Sequence, residues 1–443
     1  MTILLLLALA ATAQAETKVR EAIGTLEKAL TAKDDSVGDQ FEFQRLLKEM
    51  ERRGAIPDGT SDGFHSRGVR RLEENFSSII SAPGALNGGW ERVEPLTVRL
   101  NPAGDEAQAM CRVSIGGKKG KFRFWLRRVG DAWRPFDYEN LDGSYRLSVI
   151  GLQYAPGIFD DEEKNSLRDG VMTLQRAQVY LSKGQVAGAR EALAMAKNCT
   201  PPTYVMDYIE LVDGLALRAS GNASGALKAA DRVLAHTKDL AVAQRLKAAC
   251  LLSLGEPAKA MLAAKEYLEL VGPDAEAWVL IGGAHEKLKE SEQALDAYRK
   301  SAEIDSEDWD SRWHLSRALR RLRRFDEALA TIRTAIEKSG EKARFQDELG
   351  RTFAEQGKVE EALAVAEDVI KSRPEAEAAG RDLRIAVLAI GGKRDAALQE
   401  LETLLGGHPE WHAAVLKGEE LEEFRKLPAV QELLGKARAK GRK

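Results

Sequence analysis

An alanine that returns every 34 residues is the feature that most constrains the fold of this chain. The spacing holds without insertion or deletion across Ala226, Ala260, Ala294, Ala328, Ala362 and Ala396. An unbroken period of this length is typical of a stack of similar supersecondary units rather than of one globular core. We therefore predict a repeat array over more than half of the 443 residues.

Each of these alanines has a similar set of neighbours. Twelve residues earlier the side chain is small, at Gly214, Ala248, Gly282, Ser316 and Gly350. Nine residues earlier it is larger, at Leu217, Leu251, His285, Leu319 and Phe353. Five residues earlier a glycine is common, at Gly221, Gly255, Gly357 and Gly391. Small residues let two helices approach closely, larger ones fill the groove between them, and glycine ends a helix, so each period predicts one pair of packed helices.

This pattern resembles the tetratricopeptide repeat, from about residue 170 to about residue 410. The resemblance implies a mainly α protein whose residues 160–410 form an α-solenoid of about seven helix pairs. The first pair is irregular, because 37 residues separate Ala189 from Ala226, and the last is imperfect, because Arg384 stands where a small residue is expected. The family commonly binds its ligands in the concave groove lined by the first helix of each pair. Apolar residues continue beyond the repeats, so residues 411–443 are predicted to form capping helices and a basic tail.

The first residues have the pattern of an export signal. Ile3 to Ala11 is apolar, and Ala13-Gln14-Ala15 fits a small-x-small cleavage site. The run is too short to span a bilayer as a helix. We expect residues 1–15 to be a signal peptide and the mature chain, beginning at Glu16, to be periplasmic or extracellular. The alternative is a buried N-terminal helix.

Composition excludes several classes of partner and site. The formal net charge of -3 gives no indication of nucleic acid or membrane, so we expect no nucleic-acid partner and no stable membrane insertion after signal cleavage. Three cysteines, Cys111, Cys199 and Cys250, do not describe a disulfide framework. The sequence leaves open a bridge between Cys199 and Cys250 but does not favour it, since it does not give the geometry of the pair. We expect no cofactor and no metal.

Residues 16–157 are predicted to form an α+β domain, with helices first and an antiparallel meander after them. Helical periodicity covers Glu16 to Leu30, Gln40 to Arg53 and Phe64 to Ser81. Alternation of apolar and polar residues predicts strands around Leu96–Leu100, Ala109–Ile115, Phe122–Leu126, Trp133–Tyr138 and Tyr145–Tyr154, with a hairpin loop at Gly116–Gly120. The order of elements and the run Trp133-Arg134-Pro135-Phe136-Asp137 faintly resemble ketosteroid-isomerase-like cone domains.

Catalytic patterns are hard to find in this sequence. His408 and His412 have helical spacing, but Pro409 stands where a zinc protease needs glutamate. No nucleophile elbow or phosphate loop is present in the sequence. A cone-shaped domain can hold a pocket lined by aromatic residues around an acid, and Asp137, Tyr138, Trp125 and Trp133 would suit such a pocket. The favoured interpretation is that these four are ordinary packing residues of the strands, because no second catalytic group accompanies them.

The most informative local feature is an arginine cluster between Arg312 and Arg324. When the family's groove is mapped onto this chain, the expected partner-binding residues are Trp313, Arg317, Arg320, Arg321, Arg351 and Arg381. Guanidinium groups grip carboxylates through two hydrogen bonds, and a tryptophan supplies an apolar anchor, so this set predicts an acidic protein or peptide partner. The alternative is a solvated face paired with the nearby acids Asp308, Asp310, Asp326 and Glu327.

The sequence as a whole therefore predicts an exported, non-catalytic scaffold or adaptor that binds a partner segment in the concave groove. One alternative makes the N-terminal domain a small-molecule binder or an enzyme, with the repeats as its adaptor. A second alternative is a structural scaffold that self-associates through the ends of the repeat array.

Overall fold

The computed structural model of the protein describes residues 2–32, 35–56, 89–154, 161–199, 201–339, 342–372 and 376–440. The chain forms two compact units, Met1–Pro273 and Asp274–Lys443. The predicted helix from Phe64 to Ser81 lies outside the described residues. The predicted domain boundary near residue 157 stays a prediction, and the division into compact units falls between Pro273 and Asp274.

Two helices lie in the described residues that precede the sheet of the first unit. Helix α1 spans Thr2–Ala32, a 3-10 turn spans Asp35–Gln40, and α2 spans Phe43–Arg52. Helix α1 packs against the sheet through four residues at helical spacing, all buried: Val19, Ile23, Leu26 and Leu30. The helix begins earlier than the predicted Glu16, but its exposed stretch from residue 10 to 14 precedes these contacts.

Five antiparallel strands follow in a simple meander, as predicted. They are β1 (Trp90–Leu100), β2 (Glu106–Ile115), β3 (Lys118–Val129), β4 (Ala132–Asn140) and β5 (Tyr145–Arg146). The turn between β2 and β3 is shorter than the predicted loop and consists of Gly116 and Gly117, with φ values of 54° and 72°. Glycine adopts two successive positive φ angles at little cost, so this pair forms a tight two-residue turn. Strand β2 therefore continues to Ile115 and β3 begins at Lys118.

The predicted last strand, Tyr145–Tyr154, is wrong over most of its length. After the two residues of β5 the chain turns into helix α3 (Leu147–Ile150) and a 3-10 turn (Gly151–Tyr154). Leu147, Val149, Ile150 and Leu152 are all buried. A short apolar run that is buried on every side has no polar face, so periodicity does not distinguish a strand from a helix there.

Seven helix pairs make up the repeat array, as the sequence predicts. Pairs one to three, in the first unit, are α4–α5 (Asp161–Ser182, Val186–Asn198), α6–α7 (Thr203–Ala219, Ala223–His236) and α8–α9 (Ala241–Ser253, Pro257–Val271). Pairs four to seven, in the second unit, are α10–α11 (Ala275–Lys287, Ser291–Ile304), α12–α13 (Trp309–Arg321, Phe325–Ser339), α14–α15 (Lys342–Glu355, Val359–Ser372) and α16–α17 (Glu377–Ile390, Arg394–Gly407).

The repeated small residue permits the close packing of each pair. A Cβ atom added at Gly282 of α10 would lie 2.5 Å from the ring of Tyr298 on α11. The position five before the first five alanines has a positive φ even where it is not glycine, as at Lys289 (63°) and Arg323 (58°). In the last pair the frame moves by one residue, because Gly391 (-73°) does not have the positive φ and Gly392 (76°) does. This left-handed residue ends the first helix of the pair and lets the chain reverse.

Within the first unit, the sheet and α2 pack against the first three helix pairs. Arg53 pairs with Asp239, between α7 and α8, at 2.6 Å. Arg123 of β3 donates to the Asp239 carbonyl at 3.3 Å, and Arg245 of α8 donates to the Leu141 carbonyl at 2.8 Å. Gln178 of α4 donates to the Ser144 carbonyl at 2.8 Å, and the Tyr204 hydroxyl of α6 lies 3.2 Å from the Ser148 hydroxyl. The first helix of each of these three pairs therefore contacts the α+β part of the same unit.

A C-terminal segment covers the last repeat of the second unit. It contains 3-10 turns at Pro409–Ala413 and Glu419–Leu421, then α18 (Glu422–Arg425) and α19 (Pro428–Lys440). Leu421, Phe424 and Val430 belong to one buried cluster with Leu401 and Leu404 of α17. The predicted capping segment is confirmed, and it hides the apolar face that a solenoid leaves at its end.

Candidate functional site

A groove with a volume of about 580 Å³ lies in the second unit and contains most of the predicted partner-binding residues. We use the word groove for this cavity, whose walls come from α12, α14, α16 and the C-terminal segment. Five of the six predicted residues line it: Trp313, Arg317, Arg320, Arg321 and Arg351. The carboxylates Asp347, Glu348, Asp382 and Glu420 line it as well.

Arg320 is buried and is held by carboxylates of the next repeat. Its Nε and Nη2 atoms donate to the two oxygens of Glu348 at 2.8 and 3.2 Å, and its Nη1 donates to Glu355. Burial alone would lower the pKa of Arg320, but the two carboxylates outweigh burial and raise this pKa, so the side chain stays charged. Because only 4% of Arg320 is exposed, it ties repeats five and six together rather than meeting solvent.

Arg351 and Arg381 are also occupied within the chain. Arg351, which is 5% exposed, donates to Asp347 at 2.9 Å and to Glu420 at 2.6 Å. Arg381 does not line the groove; it donates to Glu377 at 2.9 Å and to Glu400 at 2.7 Å. The acids that pair with Arg351 and Arg381 are not the ones that the sequence suggested, which were Asp308, Asp310, Asp326 and Glu327.

Trp313, Arg317 and Arg321 form the accessible end of the groove. The guanidinium carbon of Arg317 lies 5.0 Å from the centre of the Trp313 ring. Both arginines share one carboxylate, Glu286 of α10, at 2.7 Å from Arg317 and 2.9 Å from Arg321. Their side chains are 24% and 32% exposed. Two guanidinium groups on one carboxylate leave one formal positive charge that the repeats themselves do not neutralise.

The charge changes sign along the groove. Near Arg320 and Arg351, their carboxylate partners Glu348, Glu355, Asp347 and Glu420 outnumber the two guanidinium groups. The predicted arginine wall is therefore positive only at the end formed by Trp313, Arg317 and Arg321.

The segment of residues 414–421, which we call the groove segment, contributes both backbone and carboxylates to this site. The Leu416 amide donates to Asp382 at 3.1 Å, and the Lys417 carbonyl accepts from Arg351 at 3.1 Å. Glu419 lies 3.6 Å from Arg321. The arginines thus already bind an acidic stretch of their own chain.

Burial raises the pKa of Asp382 to about 6, and the Leu416 amide and the Arg351 charge offset this only in part. Because the pKa in the folded chain lies above the ordinary value of 3.8, the folded state binds this proton more tightly than the unfolded state. The stability gained from that proton is fully present below about pH 4 and is lost as the pH rises through about 6.

The sequence analysis did not identify the carboxylates that pair with the arginines of the site, although the spacing of some of them could have indicated it. Arg317 and Glu286 are 31 residues apart, and Arg320 lies 28 residues from Glu348 and 35 from Glu355. These separations are close to the 34-residue period, so opposite charges about one period apart could have indicated pairing between neighbouring repeats. Glu420 left no such signal because it lies outside the repeats.

In the first unit, the four residues considered for a pocket take part in packing and ion pairing. Asp137 is fully buried and accepts from Arg146 Nε at 2.5 Å. Arg146 also lies over the Trp125 ring, 3.9 Å from its centre. Tyr138 packs among the aromatic rings of the sheet, and Trp133 is 5% exposed. The cone-domain resemblance stays a prediction.

The described ranges contain neither a metal-binding cluster nor a membrane-spanning helix. Within them, no group of three or more histidine, cysteine, aspartate or glutamate side chains is arranged to hold a metal ion. His408 pairs with Glu410 at 3.2 Å, and His412 contacts the Pro409 carbonyl at 3.0 Å. None of the helices in the same ranges combines the length and the apolar character that crossing a bilayer requires. All three cysteines are free thiols, so Cys199 and Cys250 are not bridged.

Two family models match parts of the chain. Residues 314–377 match the model described as tetratricopeptide repeat, and residues 219–301 match the model described as anaphase-promoting complex, cyclosome, subunit 3. No curated protein matches the chain significantly.

Several solved structures are similar to it. A tetratricopeptide repeat protein from Parabacteroides merdae is 17% identical, with 61% of this chain and 99% of that one covered at a TM-score of 0.46. MamA from Desulfovibrio magneticus is 20% identical over 39% and 97%, with a TM-score of 0.34. YrrB, described as a tetratricopeptide repeat protein with an unusual peptide-binding site, is 22% identical over 42% and 94%, with a TM-score of 0.31. The 34-residue period, the seven helix pairs and the matching repeat model support the assignment of the repeat array to the tetratricopeptide repeat family.

Proposed function

We propose that the chain is a non-catalytic interaction protein whose groove binds an extended acidic segment of a partner protein. The observation that supports this most directly is the groove segment, which already places Glu420 at 2.6 Å from Arg351 and Glu419 at 3.6 Å from Arg321. Guanidinium groups bind carboxylates with directional, charge-assisted hydrogen bonds, so side chains that hold one acidic stretch suit another.

The six predicted residues divide into two roles under this proposal. Trp313, Arg317 and Arg321 contact the partner, because they are partly exposed and carry the positive end of the groove. Arg320, Arg351 and Arg381 position the helices, because each is held by at least two carboxylates of its own chain. Burial of the Trp313 ring would supply affinity, and the two accessible arginines would select acidic partners.

The test is affinity capture from the native cell with the full chain as bait, followed by measurement of the affinity for each captured protein. Trp313→Ala, Arg317→Ala and Arg321→Ala are compared with Arg299→Ala. Arg299 is a matched control because it lies on the second helix of repeat four, is 38% exposed and pairs with Asp296 at 3.5 Å.

The proposal predicts that each groove variant weakens binding and that the two arginine variants also reduce its dependence on salt. Arg299→Ala should bind as the wild type does. Equal affinity of groove variants and control for the same partner would contradict the proposal.

We also propose that the protein is exported and that residues 1–15 are removed. Support comes from the apolar run and the Ala13-Gln14-Ala15 pattern, and from the buried residues of α1, the first of which is Val19. Cleavage before Glu16 would leave those sheet contacts intact. Mass spectrometry of the N-terminal peptide from native cells should show Glu16 first, whereas a peptide that still contains Met1 would contradict export by this route.

A further inference from the structure

The accessible end of the groove has one cation more than its repeats neutralise. Arg317 and Arg321 both use Glu286, at 2.7 and 2.9 Å. The remaining positive charge is met from outside the repeats, by Glu419 at 3.6 Å from Arg321. The second unit thus supplies its own carboxylate at the position where the proposed function places a partner's carboxylate.

Glu419 and Glu420 differ in how firmly they are held. Glu420 has a side chain 16% exposed, and although burial would raise its pKa, the charges of Arg320 and Arg351 outweigh burial and hold that pKa below its ordinary value. Glu419 has a side chain 82% exposed, and its ion pair with Arg321 is longer than that of Glu420 with Arg351. Ion pairs between exposed side chains contribute little and are screened by salt. Glu419 can therefore leave Arg321 without unfolding the segment that carries it.

The backbone around Glu419 supports a local exchange rather than release of the whole segment. Leu416 and Leu421 are fully buried in the cluster that caps the last repeat. Gly418 lies between them with a φ of 139°, a conformation that side-chain-bearing residues rarely adopt. The apolar ends fix the segment while the exposed Glu419 projects from it.

We propose that Glu419 is an intramolecular competitor for Arg321, which a partner must displace with an acidic side chain of an extended peptide segment. This inference rests on the proposed function and specifies the partner group that contacts Arg321. The partner carboxylate takes the place of Glu419, and the flanking peptide lies along Trp313 and Arg317.

A peptide with the sequence of residues 416–424 is the probe, because it carries the acidic stretch that the groove holds. It is acetylated and amidated so that only side-chain carboxylates are present, and it carries a fluorophore for anisotropy. A second peptide has glutamine at every glutamate. The proteins are the full-length wild type and the variants Glu419→Gln, Glu423→Gln and Arg321→Ala.

Glu423→Gln is the matched control because Glu423 is 86% exposed and pairs with Lys426 at 3.4 Å. Both glutamine variants remove one charge from the same part of the chain. The inference predicts that Glu419→Gln tightens binding about two- to five-fold, equivalent to about 0.4–1 kcal/mol at 1.4 kcal/mol per tenfold. Glu423→Gln should bind as the wild type does. The gain should vanish when Arg321→Ala is added to Glu419→Gln, and the glutamine peptide should show no gain.

Equal effects of the two glutamine variants, or no effect of Glu419→Gln, would overturn the inference. Absence of peptide binding to every form would overturn it as well. If Arg321→Ala weakens the peptide while Glu419→Gln changes nothing, the groove still binds acidic segments and only the competition by Glu419 is wrong. If the proposed function were wrong, a captured partner would instead bind Trp313→Ala, Arg317→Ala and Arg321→Ala with the same affinity as the wild type.

Discussion

Replacement of Arg320 by alanine isolates the structural half of the arginine cluster. The change removes both hydrogen bonds to Glu348, at 2.8 and 3.2 Å, and leaves that carboxylate 1% exposed. Glu348 then keeps its hydrogen bond from the Thr352 hydroxyl at 3.4 Å, which cannot balance a charge. A buried carboxylate without a cation is costly because water no longer solvates it.

The expected loss follows from this burial. Removal of one partner of a buried ion pair typically costs about 3–5 kcal/mol. Arg320 also pairs with Glu355, so we expect the upper half of that range, a large share of the stability of an ordinary domain. Arg320→Lys should lose less, since it keeps the charge but not the two-pronged geometry. Arg320→Met combined with Glu348→Met should recover part of the loss, because the Glu348 charge is then absent while Glu355 still lacks its cation.

Arg321→Ala is the matched control for this loss. Its side chain is 32% exposed and shares Glu286 with Arg317, so its removal leaves no isolated charge. The cost should stay below about 1 kcal/mol.

Urea unfolding measures the free energy of unfolding of Arg320→Ala and Arg321→Ala. Hydrogen exchange of peptides from α12 and α14 measures the local stability of these two helices. Local exchange is needed because the chain has two compact units, for which a single two-state transition is not assured. Protection of these two helices should fall sharply in Arg320→Ala and little in Arg321→Ala. If both variants lie within about 1 kcal/mol of the wild type, the assignment of Arg320 to a structural role is refuted.

Two further changes test the charge and the packing of the second unit. Asp382→Asn keeps an oxygen acceptor for the Leu416 amide but removes the buried charge. Because the pKa of Asp382 rises from 3.8 to about 6 on folding, we expect the variant to raise the free energy of unfolding by up to about 3 kcal/mol at pH 7.5. This gain should shrink towards pH 4, where Asp382 is itself protonated. Urea unfolding at both pH values measures it, and a gain that does not depend on pH would contradict the buried-charge explanation. Gly282→Ala should cost about 1–3 kcal/mol because the added Cβ would meet Tyr298 at 2.5 Å, whereas Gly406→Ala, with nothing within 4 Å, should stabilise its helix by up to about 1 kcal/mol. Thermal unfolding of the two alanine variants compares them, and equal shifts would contradict the packing explanation.

The repeat architecture was predictable because its determinants are local and periodic. The first five periodic alanines are buried and each marks one helix pair, whereas in the last pair the buried alanine is Ala397 and the predicted Ala396 is exposed. The small residue twelve positions earlier lies where two helices meet, as Gly282 does against Tyr298. The helix-ending position is a property of the backbone rather than of glycine alone. Lys289 and Arg323 adopt its positive φ although neither is glycine.

The parts that were not predictable depend on contacts between distant segments. The Tyr145–Tyr154 stretch is apolar on all sides, so its sequence fits a strand as well as the short helices it forms. The sequence also does not show that α+β elements engage the first three repeats through contacts such as Arg53 to Asp239, 186 residues apart.

The candidate site was also predictable only in part, because its contacts join distant segments of the chain. The sequence pointed to Trp313 and the arginines through the repeat frame, and five of the six predicted residues line the groove. Whether an arginine is exposed depends on which carboxylate reaches it. Arg320 and Arg321 are adjacent in sequence, yet one is buried against Glu348 and the other faces Glu419.

Photocrosslinking in the native cell tests the groove as the partner site most directly. A benzoylphenylalanine residue replaces Ala379, which is exposed and lines the groove, or Ala330, which is equally small and exposed on the second helix α13. The account predicts partner crosslinks from position 379, weakened by Arg321→Ala, and none from position 330. Crosslinks from position 330 without any from position 379 would contradict it.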